Sequence, residues 1–347
     1  MTPKERWRAT AARKGADRLP LDYWGTEEMT AKLRAALGVA DDEALWKALD
    51  IDRAHYTWPD LHDPLAGHRN GADVWGMTHR RIEYAHGAGA YDEIAVAPLE
   101  TLETVRDIEA YAWPDPTWWT CEHVAERAQA RSAWPVFGGS YEPFYLYTQM
   151  RGQERSMEDL ADNGAFLEAA LERIFAIHYD LVERTLVAGR GAIDFIYIAE
   201  DLGSQDSLLM SPATFRKFLK PRMKQMIALV HKHGALAFHH DDGAIAALIP
   251  DLLEVGIDIL NPVQWRCAGM DRARLKRDFG SRVAFHGAMD NQHTLPFGTV
   301  EDVRREVREN AAILGAGGGY ILAPCHNLQP ITPVENVLAM YDEARKL

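Results

Sequence analysis

The chain has 347 residues and a mass of 39.0 kDa, with 47% hydrophobic residues and a mean hydropathy of -0.29. That is the balance of a globular chain long enough to bury a full core without disulfides or a structural metal, so any metal site is expected to be functional. Its formal net charge of -13 and pI near 5.5 repel phosphate backbones and anionic membranes, which excludes nucleic acid and membrane surfaces as expected partners.

Cys121, Cys267 and Cys325 are few, odd in number and widely spaced, which suits a reducing cytoplasm rather than a disulfide framework. The opening Met1-Thr-Pro-Lys-Glu-Arg-Trp-Arg8 has no apolar stretch of the secretory kind. No uncharged run approaches about 18 residues, so no membrane span is expected. A cytoplasmic chain, monomeric or homodimeric, is the expectation.

In chain order, a helix is predicted near 3–13, then strand candidates at 18–24 and 50–57. Residues 58–120 break the rhythm. Gly71-Ala-Asp-Val-Trp-Gly76, Gly87-Ala-Gly-Ala-Tyr91 and Trp113-Pro-Asp-Pro116 read as a hairpin-like insertion, a short helix near 102–110 and a proline-rich turn. Trp113, Trp118 and Trp119 are expected to pack beneath that insertion.

From about residue 134 strand and helix patterns alternate. Short apolar runs at 134–138, 192–199, 235–239, 257–260, 283–286 and 320–323 read as buried parallel strands. Helical spacing covers 164–187, 212–231, 244–254, 271–279, 300–314 and 334–346. Ser211 with Pro212 starts the second of these as N-cap and first residue. Thr299-Val-Glu-Asp302 starts the fifth, and Thr332 with Pro333 and Glu335 the last.

Six strand–helix units and two N-terminal strand candidates predict an α/β chain with a single domain over 1–347. The expected architecture is a (β/α)8 TIM barrel with an N-terminal helical and hairpin elaboration. An open doubly wound sheet is the competing arrangement, disfavoured because no glycine-rich dinucleotide fingerprint follows an early strand.

Two strand ends stand out: Ala235-Leu-Ala-Phe-His-His-Asp-Asp-Gly243 and Gly318-Gly-Tyr-Ile-Leu-Ala-Pro-Cys-His-Asn327. The carboxyl ends of strands are where α/β enzymes hold their sites. Residues i and i+2 of a strand share a face, so His240 and Asp242 can bind one ion, zinc or another borderline divalent metal. The competing reading is a polar strand end with Asp242 capping the next helix. Cys325 or His326 could complete the site, contact substrate, or in the case of Cys325 fill a buried gap. Glu200 and Asp201 are adjacent carboxylates that raise one another's pKa and can serve as acid, base or ligand. A carboxylate bound to a helix N-terminus is the alternative. Glu142, Asn261, Gln264, His286 and Asp290 also fall at strand ends. No nucleophile elbow, P-loop, paired zinc-finger cysteines or His-Glu-x-x-His occurs.

With these residues in view, the chain resembles the uroporphyrinogen decarboxylase superfamily, from about Pro20 to the C-terminus. The resemblance rests on Asp201-Leu-Gly-Ser-Gln205 with Ser211-Pro212 and Lys220-Pro-Arg222, and on Gly256-Ile-Asp-Ile-Leu-Asn-Pro-Val-Gln264. It extends through Phe285-His-Gly-Ala-Met-Asp290 and Pro330-Ile-Thr-Pro-Val-Glu-Asn336. It implies a (β/α)8 barrel with its cleft at the C-terminal face. The superfamily includes zinc-dependent methyltransferases that move methyl groups between corrinoid proteins and thiols.

The true decarboxylases hold an acidic tetrapyrrole with an Arg-Gln-Ala-Gly-Arg motif. Here the corresponding Arg18-Leu-Pro-Leu-Asp-Tyr-Trp-Gly-Thr-Glu-Glu28 lacks those arginines. Where they place a tyrosine, in the segment similar to 141–152, this chain has Gln149. Their late histidine corresponds to His326, which ranks it above Cys325. The methyltransferases have a His-x-Cys-Gly pair and a later cysteine. His240 matches the histidine, Asp242 stands for the first cysteine and His326 for the second. Such a set carries less ligand charge than thiolates, which implies a shift of substrate or of metal.

The resemblance therefore implies metal-dependent methyl transfer or demethylation of a small substrate, with a corrinoid protein as partner. His240, Asp242 and His326 would hold the metal, and Glu200 or Asp201 would bind or protonate substrate. Glu142, Gln149, Asn261, Gln264, His286 and Cys325 would line the cleft. Metal-free decarboxylation of a tetrapyrrole and non-catalytic binding of a corrinoid or tetrapyrrole are the alternatives.

Overall fold

The computed structural model describes residues 1–84 and 89–347. Gly87 and Ala88, part of the expected hairpin-like insertion, lie outside the described residues. The strands in chain order are β1 (His55–Tyr56), β2 (Asp60–Leu61), β3 (Thr78–Tyr84), β4 (Gly89–Val96), β5 (Trp119–Thr120), β6 (Val136–Tyr141), β7 (Phe195–Ala199), β8 (Leu236–His240), β9 (Ile259–Asn261), β10 (Ala284–Met289) and β11 (Tyr320–Pro324).

Seven of them form one sheet in the order β1-β6-β7-β8-β9-β10-β11, every pair parallel. The chain crosses from each of β6 to β10 to its neighbour through helical segments, and the strands, buried almost throughout, read as continuous apolar runs. Residues 18–24 do not join as a strand. They touch β11 through a single parallel bridge, Leu21 to Leu322, and Gly25 bridges Leu328 just beyond it. On its other side the Leu21 carbonyl accepts the Asp52 N–H at 2.7 Å. Of the predicted strand at 50–57, only His55 and Tyr56 pair, with β6.

Strand alternation explains what the inside of the sheet contains. Phe137, Phe195, Phe238, Ile259, Ala284 and Ile321, one from each of β6 to β11, form a buried cluster around Trp7. Trp7 comes from the N-terminal helix Pro3–Ala11, which starts in a reciprocal Thr2–Glu5 capping box. Its ring meets Phe195 edge-on at 5.5 Å and Phe137 at 6.1 Å. A second, larger cluster fills the space between sheet and helices.

Several helix boundaries differ from expectation for local reasons. The run at 212–231 is two helices, Pro212–Phe218 and Lys220–Lys232. Pro221 lacks the N–H that a continuous helix needs at that point, so the chain restarts there. The helix predicted at 244–254 is confined to Ile249–Val255, again with a proline, Pro250, in its first turn. Ser211 and Thr299 cap as expected. Thr332 does not: Pro333 is the N-cap of Val334–Ala344, without a side-chain bond. The insertion contains the antiparallel pair β3–β4, the short pair β2–β5 and the helix Val105–Ala110. Among the described residues no helix is long and apolar enough to cross a membrane.

Candidate functional site

Along β8, Leu236, Phe238 and His240 alternate with Ala237 and His239. Phe238 belongs to the inner cluster with Leu236 packed against it, so His240 is the next inward position, at the strand's carboxyl end. Register sets its neighbours, because His240 pairs with Ala199 on one side and Asn261 on the other. Asp201, two residues past Ala199, and Asp242, two past His240, therefore converge on it.

His240 Nε2 lies 3.6 Å from Asp201 Oδ1 and 4.0 Å from Asp242 Oδ1. One donor atom from each of the three falls within 4.8 Å of the others. Two glycines permit this approach. A β-carbon on Gly203 would overlap the Asp242 carbonyl, and one on Gly243, whose φ is +87°, would sit 2.5 Å from the Gly203 backbone. The two loops are joined there by the Ala244 N–H on the Ser204 carbonyl at 2.8 Å.

Behind His240 runs a buried polar chain. Its Nδ1 is 2.5 Å from Asn261 Oδ1, Asn261 Nδ2 is 2.6 Å from His286 Nδ1, and His286 Nε2 is 3.1 Å from Asp22 Oδ2. Ring tautomers follow from the carboxylate, which only accepts. His286 must donate from Nε2 to Asp22 and accept at Nδ1 from the Asn261 amide. The Asn261 oxygen then accepts the His240 Nδ1–H. That leaves the His240 Nε2 lone pair directed at Asp201 and Asp242, the form a metal ligand requires. Trp24 Nε1 also donates to Asp22, at 3.0 Å, and the rings of Trp24 and Tyr197 each stack on His240 at 5.6 Å.

The remaining candidates are distributed unevenly. Asp201 sits in the ligand cluster itself; burial raises its pKa, with Asp242 pushing the same way and His240 opposing. Glu200 is buried and turned elsewhere, its oxygens accepting the N–H groups of Phe144 at 3.1 Å and Tyr145 at 2.9 Å. It thus binds the start of the helix Pro143–Arg151. Asn261 and His286 are fully buried, and act on the site through His240. Gln264 braces the cluster, donating to Asp242 Oδ1 at 2.9 Å and accepting the Gly243 N–H at 2.6 Å. Asp290 organises the turn at 292–294 and pairs with Arg266. The Cys325 thiol is buried, donates to the Val263 carbonyl at 3.3 Å and is held protonated by desolvation. The His326 ring centre stands 6.3 Å from that of His240, outside the three-residue cluster. Gln149 lies on the helix Pro143–Arg151 and does not line the cavity described next.

A cavity of about 340 Å³ adjoins the cluster, lined among others by Trp24, Arg53, Tyr56, Trp58, Glu142 and Tyr197. Glu142 is shielded from solvent, which raises its pKa; His240 and a hydrogen bond with Ser140 oppose the shift. Asp22, Trp24, Arg53 and Tyr197 were not singled out from the sequence. A signal did exist for two of them: Asp22 and Trp24 alternate within the apolar run at 18–24, as two residues on one face of an extended segment must.

A parallel α/β sheet with its convergent polar groups at the carboxyl ends of the strands defines the class: a protein built to present a ligand site on that face. The family profile for uroporphyrinogen decarboxylase (URO-D) matches residues 83–347. The chain belongs to that family. It is 28% identical over 213 residues to the methylcobamide:CoM methyltransferase MtaA of Methanosarcina barkeri, covering 59% of this chain and 56% of that protein. The match thus spans little more than half the length of that relative. It is 25% identical over 285 residues to the uroporphyrinogen decarboxylase of Pseudomonas fluorescens strain Pf0-1, covering 77% and 76%. In fold it is similar to a methyltransferase from Methanosarcina mazei, with a TM-score of 0.69 at 21% identity over 100% of this chain and 99% of that one.

Proposed function

We propose that the chain is a cytoplasmic methyl-transfer enzyme acting on a small substrate with a corrinoid protein as partner. Asp201, His240 and Asp242 gather a divalent metal, zinc first, with His326 close by at the end of β11. In this reading the Leu21–Leu322 bridge marks the eighth stave of a (β/α)8 barrel. The observation that carries the proposal is the cluster of one imidazole nitrogen and two carboxylates beside an aromatic cavity at the strand ends. This donor set suits zinc or another borderline divalent ion. The similarity to a methylcobamide:CoM methyltransferase supports the reaction class.

Bound there, the metal would supply Lewis acidity toward a heteroatom of the substrate, and the partner's corrinoid would supply the methyl-carrying cobalt. The chain's own residues do the rest. The Asp22–His286–Asn261 chain holds the His240 lone pair in place, and Gln264 holds Asp242. Glu142, which keeps its proton more readily than an ordinary carboxyl, stands in the cavity as an acid for a departing heteroatom. Trp24 and Tyr197 shield the reacting end from water.

Metal content of the purified protein, by mass spectrometry, tests this. About one equivalent is expected in the wild type and none in His240→Ala or Asp201→Asn. A protein that stays metal-free after reconstitution with zinc, manganese and iron would sink the assignment.

The alternative is metal-free decarboxylation, favoured by the longer alignment with the decarboxylase relative. His240 and Asp201 would then touch substrate directly. Optical titration with cobalamin and with a porphyrin separates the two, and binding of either without turnover leaves a non-catalytic binding protein.

A further inference from the structure

The cavity beside the ligand cluster carries a charge pattern that methyl transfer as such does not require. Arg53 lines it, half-buried, with its guanidinium carbon 4.2 Å above the centre of the Trp46 ring. The adjacent carboxylate in sequence, Asp52, is already taken: Arg6 and Arg18 both pair with it, Arg18 at 2.8 Å. Glu142, the carboxyl group in the cavity wall, has Ser140 as its hydrogen-bond partner. Among the described residues no carboxylate or carbonyl is bonded to Arg53. A planar guanidinium that is partly desolvated and unpaired is a receptor for a two-oxygen anion, which it meets with two parallel N–H bonds.

The walls add shape. Trp24, Tyr56, Trp58 and Tyr197 contribute flat faces. Tyr56 and Trp58 stack on one another at 5.7 Å with 13° between their planes, and each leaves 42% of its surface exposed. Large aromatic side chains left open at the rim of a pocket are the usual means of gripping a flat ligand. The volume of about 340 Å³ lies at the lower end of the range for small-molecule pockets, roughly 300–1,000 Å³.

We propose that the substrate is a small aromatic carboxylate, its carboxylate paired with Arg53 and its ring held by Trp24, Tyr56, Trp58 and Tyr197. Its far substituent then faces His240, Asp201 and Asp242. The inference rests on the proposed methyl transfer for which group reacts, but not for binding. An aromatic box with a carboxyl in its wall also has the makings of a cation site. The unpaired Arg53 decides for an anion.

Binding of four probes, followed by tryptophan fluorescence and calorimetry on the full chain without metal or corrinoid, tests this. The probes are benzoate, benzamide, propionate and benzyltrimethylammonium. Benzoate is expected to bind most tightly, with propionate failing for want of a ring and benzamide for want of charge. Arg53→Leu should weaken benzoate about ten-fold or more, and Arg53→Lys should fall between. Trp58→Ala should weaken benzoate with Arg53 intact. Preference for benzyltrimethylammonium, or unchanged benzoate affinity in an Arg53→Leu protein with native circular dichroism, would overturn the inference. Because no metal or corrinoid takes part, this outcome is independent of the metal-content result: either proposal can fail with the other standing.

Discussion

Asp22 is the residue on which the protonation state of the site depends, although it touches none of the three clustered ligand atoms. Its carboxylate sets the His286 tautomer, which sets the amide orientation of Asn261 and so the proton position on His240. Asp22→Asn removes that anchor, because an amide can present either a donor or an acceptor to His286. We expect zinc affinity to fall about 10–100-fold, as for other lost partners of ligand histidines, with the fold intact. Calorimetric titration of zinc checks this; unchanged affinity would mean that the relay is packing only. Gly203→Ala should have the larger effect, since the added methyl drives apart the loops carrying Asp201 and Asp242. Loss of metal stoichiometry at normal helical content is the expected signature. His240, Asp242 and Asp201 were all legible as candidates because each follows an apolar strand in sequence. Which of Glu200 and Asp201 faces the site was not legible, since the period of two that sends neighbours opposite ways is phased by tertiary contacts.

At the scale of elements, the inner cluster and the helix starts carry stability. Trp7 closes the inside of the sheet from a helix outside the strand–helix repeat, and its indole nitrogen is buried without a partner. Trp7→Ala should cost about 3–5 kcal/mol in urea unfolding, and Trp7→Phe much less, since it keeps most of the apolar contact and removes the orphan donor. Glu200 acts on the helix Pro143–Arg151, so Glu200→Ala should lower stability by about 1–2 kcal/mol while zinc stoichiometry is retained. The reverse pattern, normal stability with lost metal, would return Glu200 to the site. Helices of the strand–helix repeat were legible from spacing and caps, whereas Glu27–Leu37, Asp42–Leu49, Val124–Ala130, Pro143–Arg151 and Gln153–Asp162 were not. The break at Pro221 and the late start at Pro250 are marked in the sequence by those prolines, although the apolar spacing runs on across both.

The molecule as a whole buries histidines in neutral form, and this makes it acid-sensitive. Desolvation lowers the pKa of His178 to about 4, and desolvation with Arg131 nearby lowers that of His55 to about 4. The ordinary value is 6.5. Between pH 6.5 and 4 the unfolded chain therefore binds protons that the folded chain refuses, so stability falls as pH falls through that window. For His178, packed between Trp75 and Tyr141 with Nδ1 unpartnered, the loss reaches about 3 kcal/mol at most by pH 4. His178→Phe should flatten the decline, visible as a smaller drop in Tm from pH 6.5 to pH 4. An identical pH profile would show that His178 protonates in the folded state.

Alternation of strand and helix, helix capping and the chemical inventory of the strand ends came from the sequence alone, because each depends on residues a few positions apart. Those short-range rules yielded the parallel α/β class, the hairpin insertion and the pairing of His240 with Asp242. Which of the polar ends meet was decided only in three dimensions. The register of β7 on β8 brings Asp201 to His240, while the His326 ring, beyond the end of β11, stands 6.3 Å from that of His240. Asp22 reaches His286 across 264 positions of chain. Arg6 and Arg18, from other segments, take Asp52, and Arg53 lies on the Trp46 ring instead of in an ion pair. Such contacts follow from sheet register and from competition between distant charges, and neither leaves a local periodicity in the sequence.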